Sequence, residues 1–343
     1  MPEALAAVTS RDLGALGILH LRRMWARTRL TVQGSAVEKA DEEWLLDNLV
    51  FDGLGLGLEP TIQFLHGGAA SYEDFERWIL EQGDGGLDPA RRERINRAIR
   101  AVLDPEVVGP TLETLNNHPE PVLSQEDLAH FEAHGYVVLK NAVPTGGAAA
   151  AAQAVWDHLG ASPDDVESWY RPKVAQQKIM VQLFQHPALE ANRQSPRIHR
   201  AFAQLWQTEK LWVTTDRVSF NPPERHDYRF PGPDLHWDAY FTIPFAFGLQ
   251  GVLYLTDTEA EQGAFTCVPG FHHRIDAWLA ALPKGSDPQM QDLHALGPKP
   301  IPGKGGDMVI WHHGLPHGSR PNRASVPRLV QYIKLYPVHH VGL

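Results

Sequence analysis

The chain has 343 residues, of which 43% are hydrophobic and 21% charged, so it is too long for one minimal domain and too apolar for wholesale disorder. Its formal net charge of −10 argues against a nucleic-acid footprint, and a single cysteine, Cys267, excludes an internal disulfide and fits a reducing cytoplasm. Eighteen histidines is a high count, and their clustering carries more information than their number.

The first hundred residues read as helices. Arg22 and Arg23 follow the apolar stretch around Leu13–Leu21 instead of preceding it, so no secretory signal is expected. Ser10 is predicted to cap a helix whose apolar positions Leu13, Leu16, Leu21 and Met24 recur at helical spacing. Ser71 and Asp74 have capping-box spacing ahead of Phe75, Trp78 and Ile79. Asp88-Pro89 is a cap followed by proline at the first helical position, opening a helix to about Leu103. The glycine-rich Gly53–Leu58 is a hinge or turn. Residues 1–115 are therefore expected to form a small helical domain for packing, oligomerisation or a partner, without a metal or catalytic constellation.

A proline-rich linker, Asp104–Leu123, follows, with Pro105, Pro110, Asn116-Asn117, Pro119 and Pro121. Ser124 and Asp127 start another capped helix, Tyr136–Leu139 reads as a short strand, and Ala148–Ala152 belongs to a further helix. From about residue 211 the texture is β: Trp212–Phe220, Gly248–Thr256, Ala264–Val268, Met308–Trp311 and Leu329–Tyr336 are short runs bounded by turns. The longest uncharged run, Ala239–Thr256, contains Pro244, Gly248, Gln250 and Gly251, which suits two buried strands better than a membrane-spanning helix. Many short strands after a helical preface argue for a barrel or sandwich.

Two clusters carry chemistry. In His236-Trp237-Asp238 an extended chain turns His236 and Asp238 to one face while Trp237 points away. A distant His312-His313-Gly314-Leu315-Pro316-His317-Gly318-Ser319 offers further histidines. A His and an Asp from one strand plus a His from another make a 2-His-1-carboxylate facial triad, the arrangement of non-haem Fe(II) oxygenases. Taken alone, His236 also reads as a histidine satisfied by loop carbonyls, and the spacing leaves the distal histidine open.

The order of motifs resembles the phytanoyl-CoA dioxygenase family of Fe(II)/2-oxoglutarate oxygenases. The resemblance rests on His236-Trp237-Asp238, on Gly263-Ala264 leading to Val268-Pro269-Gly270-Phe271-His272, and on Gly306-Asp307. It rests most on His317-Gly318-Ser319, Asn322 and Pro327-Arg328, with Gly135-Tyr136-Val137-Val138-Leu139 at the start. It covers roughly residues 120–340 and leaves 1–115 uncovered. It implies a mainly β fold with helices (α+β): a double-stranded β-helix core (jelly-roll, cupin-like) over 120–343, preceded by the helical domain. It implies iron held by His236, Asp238 and His317, and it selects His317 over His312 and His313, which then read as residues that support the ligands from behind or lie on the surface. Asp307 belongs to a turn and is no ligand. The cosubstrate is 2-oxoglutarate, the oxidant O2. A carboxylate at 238 is what the resemblance associates with hydroxylation instead of halogenation.

Arg328 has a physical argument as well. The far carboxylate of 2-oxoglutarate must be buried, and a guanidinium gives it two charge-assisted bonds. A surface salt bridge is the plain alternative. The resemblance adds Ser319 at the same end and suggests Lys178 as a cosubstrate contact. Gln250 is either a cosubstrate contact or a satisfied core amide; Asp216 and Arg217 line the substrate end; Trp237 and Tyr240 shape the pocket or pack. Cys267 reads as a small buried hydrophobe. The loop Glu224–Pro233 and the stretch Tyr240–Phe247 are expected to exclude water as lids.

The expected reaction is hydroxylation of an unactivated C–H bond of a small metabolite, free or bound to CoA or a carrier. Desaturation, epoxidation or cyclisation is the nearest alternative, and a zinc hydrolase or inactive barrel a remote one that leaves Ser319 and Arg328 unexplained. No nucleic acid and no membrane is expected as a partner. The helices leave room for a homo-oligomer, and the location expected is cytoplasmic.

Overall fold

A computed structural model describes residues 2–35, 41–67, 71–83, 86–104, 120–171 and 176–338. Most of the predicted linker, including Pro105, Pro110, Asn116, Asn117 and Pro119, lies outside the described residues, as does the expected boundary near 115–120. The chain divides into two compact units. One comprises Met1–Leu115, Lys210–Thr215 and Pro337–Gly342; the other comprises Asn116–Glu209, Asp216–Tyr336 and Leu343.

Helices dominate the first unit: Pro2–Ala6, Leu21–Val32, Asp41–Leu54, Leu58–His66, Tyr72–Glu81 and Pro89–Leu103. Ser71 and Asp74 form the reciprocal capping box that their spacing predicts, and the Asp88 side chain accepts from the Ala90 N–H ahead of Pro89. Ser10 does not cap a helix. The helix begins only at Leu21, because the N–H groups before it go to tertiary partners. Those of Ala15 and Leu16 donate to the Glu76 carboxylate at 3.0 and 2.9 Å, and that of Leu19 donates to Asn96 Oδ1 at 2.8 Å. With its amides satisfied from outside, this stretch gains nothing from a helical ladder. Ser10 Oγ instead meets the buried ring of His20 at 2.8 Å.

The expected strand Trp212–Phe220 is two strands in different units. Leu211–Val213 belongs with the helices, where the Thr215 N–H donates to Asp52 Oδ1 at 2.7 Å, and Val218–Asn221 belongs to the sheet of the second unit. The run Leu329–Tyr336 also breaks, into Arg328–Tyr332 and Leu335–Pro337, and Ala264–Val268 shortens to Thr266–Cys267.

In the second unit the described residues form a mixed α/β fold with antiparallel sheets. The larger sheet has seven strands, in the order Tyr136–Leu139, Met308–His312, Leu249–Tyr254, Arg328–Tyr332, Val218–Asn221, Met180–Val181 and Gln176–Gln177. A three-stranded sheet runs His317–Gly318, Thr266–Cys267, Lys299–Pro300. Both sheets contribute to one apolar core: Val252, Tyr254, Val309, Trp311 and Val330 from the larger, Cys267 from the smaller. Alternation along Arg328–Tyr332 turns Arg328, Val330 and Tyr332 to the same side. That places a cation on a core-facing row, with only 1% of Arg328 exposed.

Ser124 and Asp127 form a second capping box, and the helix Gln125–His134 ends at Gly135, whose φ of 76° supplies the left-handed turn into the first strand. Ala148–Ala152 lie in the helix Thr145–Leu159. Among the described residues no helix is long and apolar enough to cross a membrane, and the Ala239–Thr256 run holds irregular chain followed by the strand Leu249–Tyr254.

Candidate active site

The two sequence clusters meet backbone to backbone. His236 and His317 form an antiparallel bridge, with His236 N–H donating to His317 O at 2.8 Å and His317 N–H donating to His236 O at 3.0 Å. Gly318 is what allows this approach. A Cβ there would lie 2.3 Å from the Asp234 carbonyl oxygen, inside contact distance of fixed backbone, so the residue after the distal histidine has to be glycine.

Ligand atoms of His236, Asp238 and His317 lie within 4.8 Å of one another, the single metal-competent group of His, Cys, Asp and Glu among the described residues. Asp238 is 3.4 Å from both rings, through Oδ1 to His236 Nε2 and through Oδ2 to His317 Nε2. Each ring is oriented by its other nitrogen: His236 Nδ1 lies 2.6 Å from Asp234 O, and His317 Nδ1 lies 3.0 Å from Leu315 O. A carbonyl can only accept, so Nδ1 carries a proton in each ring, and Nε2 is the nitrogen that faces Asp238 and is left to hold a metal. Burial works against charge on the His236 imidazole, yet the hydrogen bond and charge of Asp238, with the Asp234 carbonyl, lift it above its ordinary value. Burial likewise works to raise Asp238, but His236 and His317 hold it far below the usual carboxylate range. Two neutral-capable imidazoles and one permanent carboxylate, with one side of the set open to a cavity, suit a divalent first-row metal.

That cavity has a volume of about 380 Å³ and is lined by all three donors together with Ser319 and Arg328. Arg328 donates through Nη2 to Ser219 Oγ at 3.0 Å, while its Nε, buried, has no hydrogen-bond partner among the described residues. A buried guanidinium without a carboxylate is incomplete, and the cavity is where an anion reaches it. The surface salt-bridge alternative is thus excluded by burial. Ser319 is buried beside the same space.

The remaining candidates divide. Gln250 lines the cavity, but its amide is committed: Nε2 donates to Asp238 Oδ2 at 2.9 Å, and Oε1 accepts from Trp311 Nε1 at 3.1 Å. It braces the carboxylate donor from the cavity wall. Lys178, itself exposed, lines the cavity edge from a two-residue turn, with φ of 55°, and among the described residues no side-chain bond ties it to the donors. Asp216 and Arg217 line the cavity too. Trp237 points away, packed near Phe241, Phe271 and Trp278, and Tyr240 is exposed.

His312 and His313 stay out of the donor group. His313 is buried, not on the surface, and burial pushes its imidazole down to about 3; His312 is pushed down to about 4 by burial and by His272 and His273. Asp307 is buried in a turn, where its carboxylate accepts from Lys140 Nζ at 2.8 Å and from the N–H groups of Asn141 and Lys304 at 3.0 Å each. Cys267 is buried, and burial raises its thiol. Asn322 donates to the carbonyls of Asn221 and Val326, both at 2.9 Å, bracing the loop ahead of Arg328. The loop Glu224–Pro233 is laced by Arg225, which pairs with Glu167 at 2.9 Å and Asp227 at 2.6 Å, and its Pro233 lines the cavity. Ser219 and Trp311 were not marked by any motif; each is one residue in a buried strand until its cross-strand neighbours are known.

Residues 131–330 match the phytanoyl-CoA dioxygenase (PhyH) family. The chain belongs to that family. Its cofactor set is the family's: ferrous iron, 2-oxoglutarate as cosubstrate, and O2. A Dictyostelium discoideum relative carrying the same family name is 23% identical over 232 residues, which are 55% of this chain and 64% of the relative. The chain therefore spans under two thirds of that relative's length. Among solved structures, similarity is found to the non-heme alpha ketoglutarate dependent carbocyclase SnoK from nogalamycin biosynthesis (21% identity, 67% of this chain, 87% of that chain, TM-score 0.46). The apoform of EctD from S. alaskensis is similar at 18% identity, covering 67% of this chain and 83% of that chain, with a TM-score of 0.44. The family assignment rests on the sequence match alone.

Proposed function

We propose that this chain is an Fe(II)/2-oxoglutarate-dependent dioxygenase that hydroxylates an unactivated C–H bond of a small metabolite, free or carried on CoA or a carrier, within a double-stranded β-helix. One observation carries the reading: the His236–Asp238–His317 donors and the buried, incompletely paired Arg328 face the same 380 Å³ cavity. A zinc hydrolase needs the donors but has no use for a buried guanidinium in the same cavity.

When bound, iron with 2-oxoglutarate and O2 supplies the oxidant that removes hydrogen from carbon, with succinate and CO2 as co-products. The chain does the rest. His236 and His317 would hold the metal through Nε2, because their Nδ1 protons are engaged by carbonyls. Asp238 supplies the anionic donor and is kept in place by Gln250. Arg328 and Ser319 orient the cosubstrate through its far carboxylate, so that its other end is presented to the metal. Phe265 and Trp311 line the cavity with apolar surface that limits water near the donors. Lys178 at the cavity edge would add a cosubstrate contact, and Asp216 and Arg217 would meet substrate. The helices of residues 1–115 take a packing, oligomerisation or partner role.

The test is turnover of 2-oxoglutarate to succinate by the iron-loaded protein with candidate metabolites under 18O2. One labelled oxygen in the organic product and one in succinate is the expected result. Label in succinate with a desaturated or cyclised, unlabelled product would refute hydroxylation while keeping the cofactor chemistry. Metal-dependent hydrolysis without 2-oxoglutarate consumption would refute both.

A further inference from the structure

The segment carrying two of the three metal donors has little strand support. His236 forms one bridge to His317, while Trp237 and Asp238 lie in irregular chain. Trp237 is nevertheless 3% exposed, so its peptide N–H and C=O need partners other than water. One side chain provides both. Gln289 Oε1 accepts from Trp237 N–H at 3.1 Å, and Gln289 Nε2 donates to Trp237 O at 2.8 Å. A single amide thus makes the two bonds that a neighbouring strand residue would make.

The clamp is itself anchored. Gln289 lies in the short turn Pro288–Met290, where its N–H donates to Asp287 Oδ1 at 2.8 Å, and Gln291 Nε2 donates to Asp287 O at 2.9 Å. The same stretch of chain reaches the other side of the donor segment, where His294 Nε2 lies 2.9 Å from Asp234 Oδ2. The Trp237 indole is held separately, with Nε1 donating to Gly314 O at 3.2 Å. The backbone dihedrals at Trp237 determine whether His236 and Asp238 point to one spot. Rotation of that peptide would carry Asp238 away from His317, and the Gln289 amide opposes the rotation at both polar atoms.

We propose that Gln289 is a positioning residue of the iron site, acting through the Trp237 peptide to fix the spacing of His236 and Asp238. This rests on the iron reading above. Nothing in the sequence marks it: Gln289 lies in a region without periodicity, 51 residues beyond Asp238.

The test uses the full chain with two variants. Gln289→Leu removes both bonds at similar volume; Gln289→Glu keeps an acceptor for the Trp237 N–H but sets an oxygen against its carbonyl. Anaerobic Fe(II) and Co(II) binding, the visible spectrum of the Co(II) form and the melting of the metal-free protein are measured. Both variants should bind metal roughly 10- to 100-fold more weakly and shift the Co(II) spectrum, and because the buried Trp237 peptide loses its partners they should also melt somewhat below wild type without metal. Unchanged affinity and spectrum in both would overturn the proposal, as would weaker binding that only follows a lowered metal-free melting point with the Co(II) spectrum intact. A wild type that binds neither metal overturns the iron reading and this proposal together, whereas variants that bind as well as a metal-binding wild type overturn the positioning role alone.

Discussion

Replacing Arg328 by alanine isolates the cosubstrate from the metal. The side chain is 1% exposed, its one hydrogen bond among the described residues goes to Ser219 at 3.0 Å, and its Nε is unpartnered. A guanidinium held this way is poised for a carboxylate, and removing it would leave that carboxylate buried without a cation. Breaking a buried pair from one side costs about 3–5 kcal/mol, which at about 1.4 kcal/mol per decade is roughly two to four orders of magnitude in affinity. Arg328→Lys keeps the charge but loses the two-pronged geometry, so it should fall between wild type and alanine. Ser219→Ala removes one supporting hydrogen bond and should cost about 1 kcal/mol. The assay is calorimetric titration of 2-oxoglutarate into the metal-loaded protein without oxygen, beside a separate titration of metal alone. Metal affinity should be little changed in all three variants. Equal 2-oxoglutarate affinity in wild type and Arg328→Ala would remove Arg328 from the site, and equal loss of metal binding would show that it acts on the donors instead.

Three further outcomes follow from the site. His317→Ala should abolish metal binding by calorimetry with circular dichroism preserved, whereas His313→Asn should keep it; the reverse pattern would reassign the distal donor. Gly318→Ala should disrupt the His236–His317 bridge, because its Cβ would meet the Asp234 carbonyl at 2.3 Å, and metal affinity should drop at least tenfold, about 1.4 kcal/mol; a wild-type affinity would show that the backbone yields there. Acid should destabilise the metal-free protein through His313, whose imidazole is pushed down to about 3 in the fold by burial. Between about pH 6.5 and that value the unfolded chain binds the proton and the folded one does not, so stability rises with pH across this window and is lost as pH falls through it. His313→Asn should reduce the loss of stability between pH 7 and pH 5 by about 2 kcal/mol in denaturant titrations; an unaltered loss would place the acid sensitivity elsewhere.

The parts of this protein legible in its sequence are those governed by neighbours along the chain. Capping boxes at Ser71–Asp74 and Ser124–Asp127 involve residues three apart, so their spacing already states the hydrogen bonds. The i, i+2 relation of His236 and Asp238 is likewise local. Position 10 shows the limit, since Ser10 had cap chemistry, but Glu76 and Asn96 took the backbone amides that a helix there would have used. Position 214 shows it again, where one apparent strand serves two units.

The sequence by itself determined which donor types are present and that His236 and Asp238 stand two apart, whereas the choice of His317 over His312 and His313 rested on the resemblance to the family. Only the tertiary structure decided what those groups face and what holds them. Burial turned Arg328 from a candidate surface ion pair into a buried cation facing a cavity, with Ser219 its one side-chain hydrogen-bond partner among the described residues. Gln250, read as either a cosubstrate contact or a core amide, bonds Asp238 and Trp311. His313 is withdrawn from the surface, and Gln289 is brought to the Trp237 peptide. Each of these turns on a through-space contact between residues far apart in the chain, and burial and cross-strand neighbours are set by the whole fold, which no window of sequence contains.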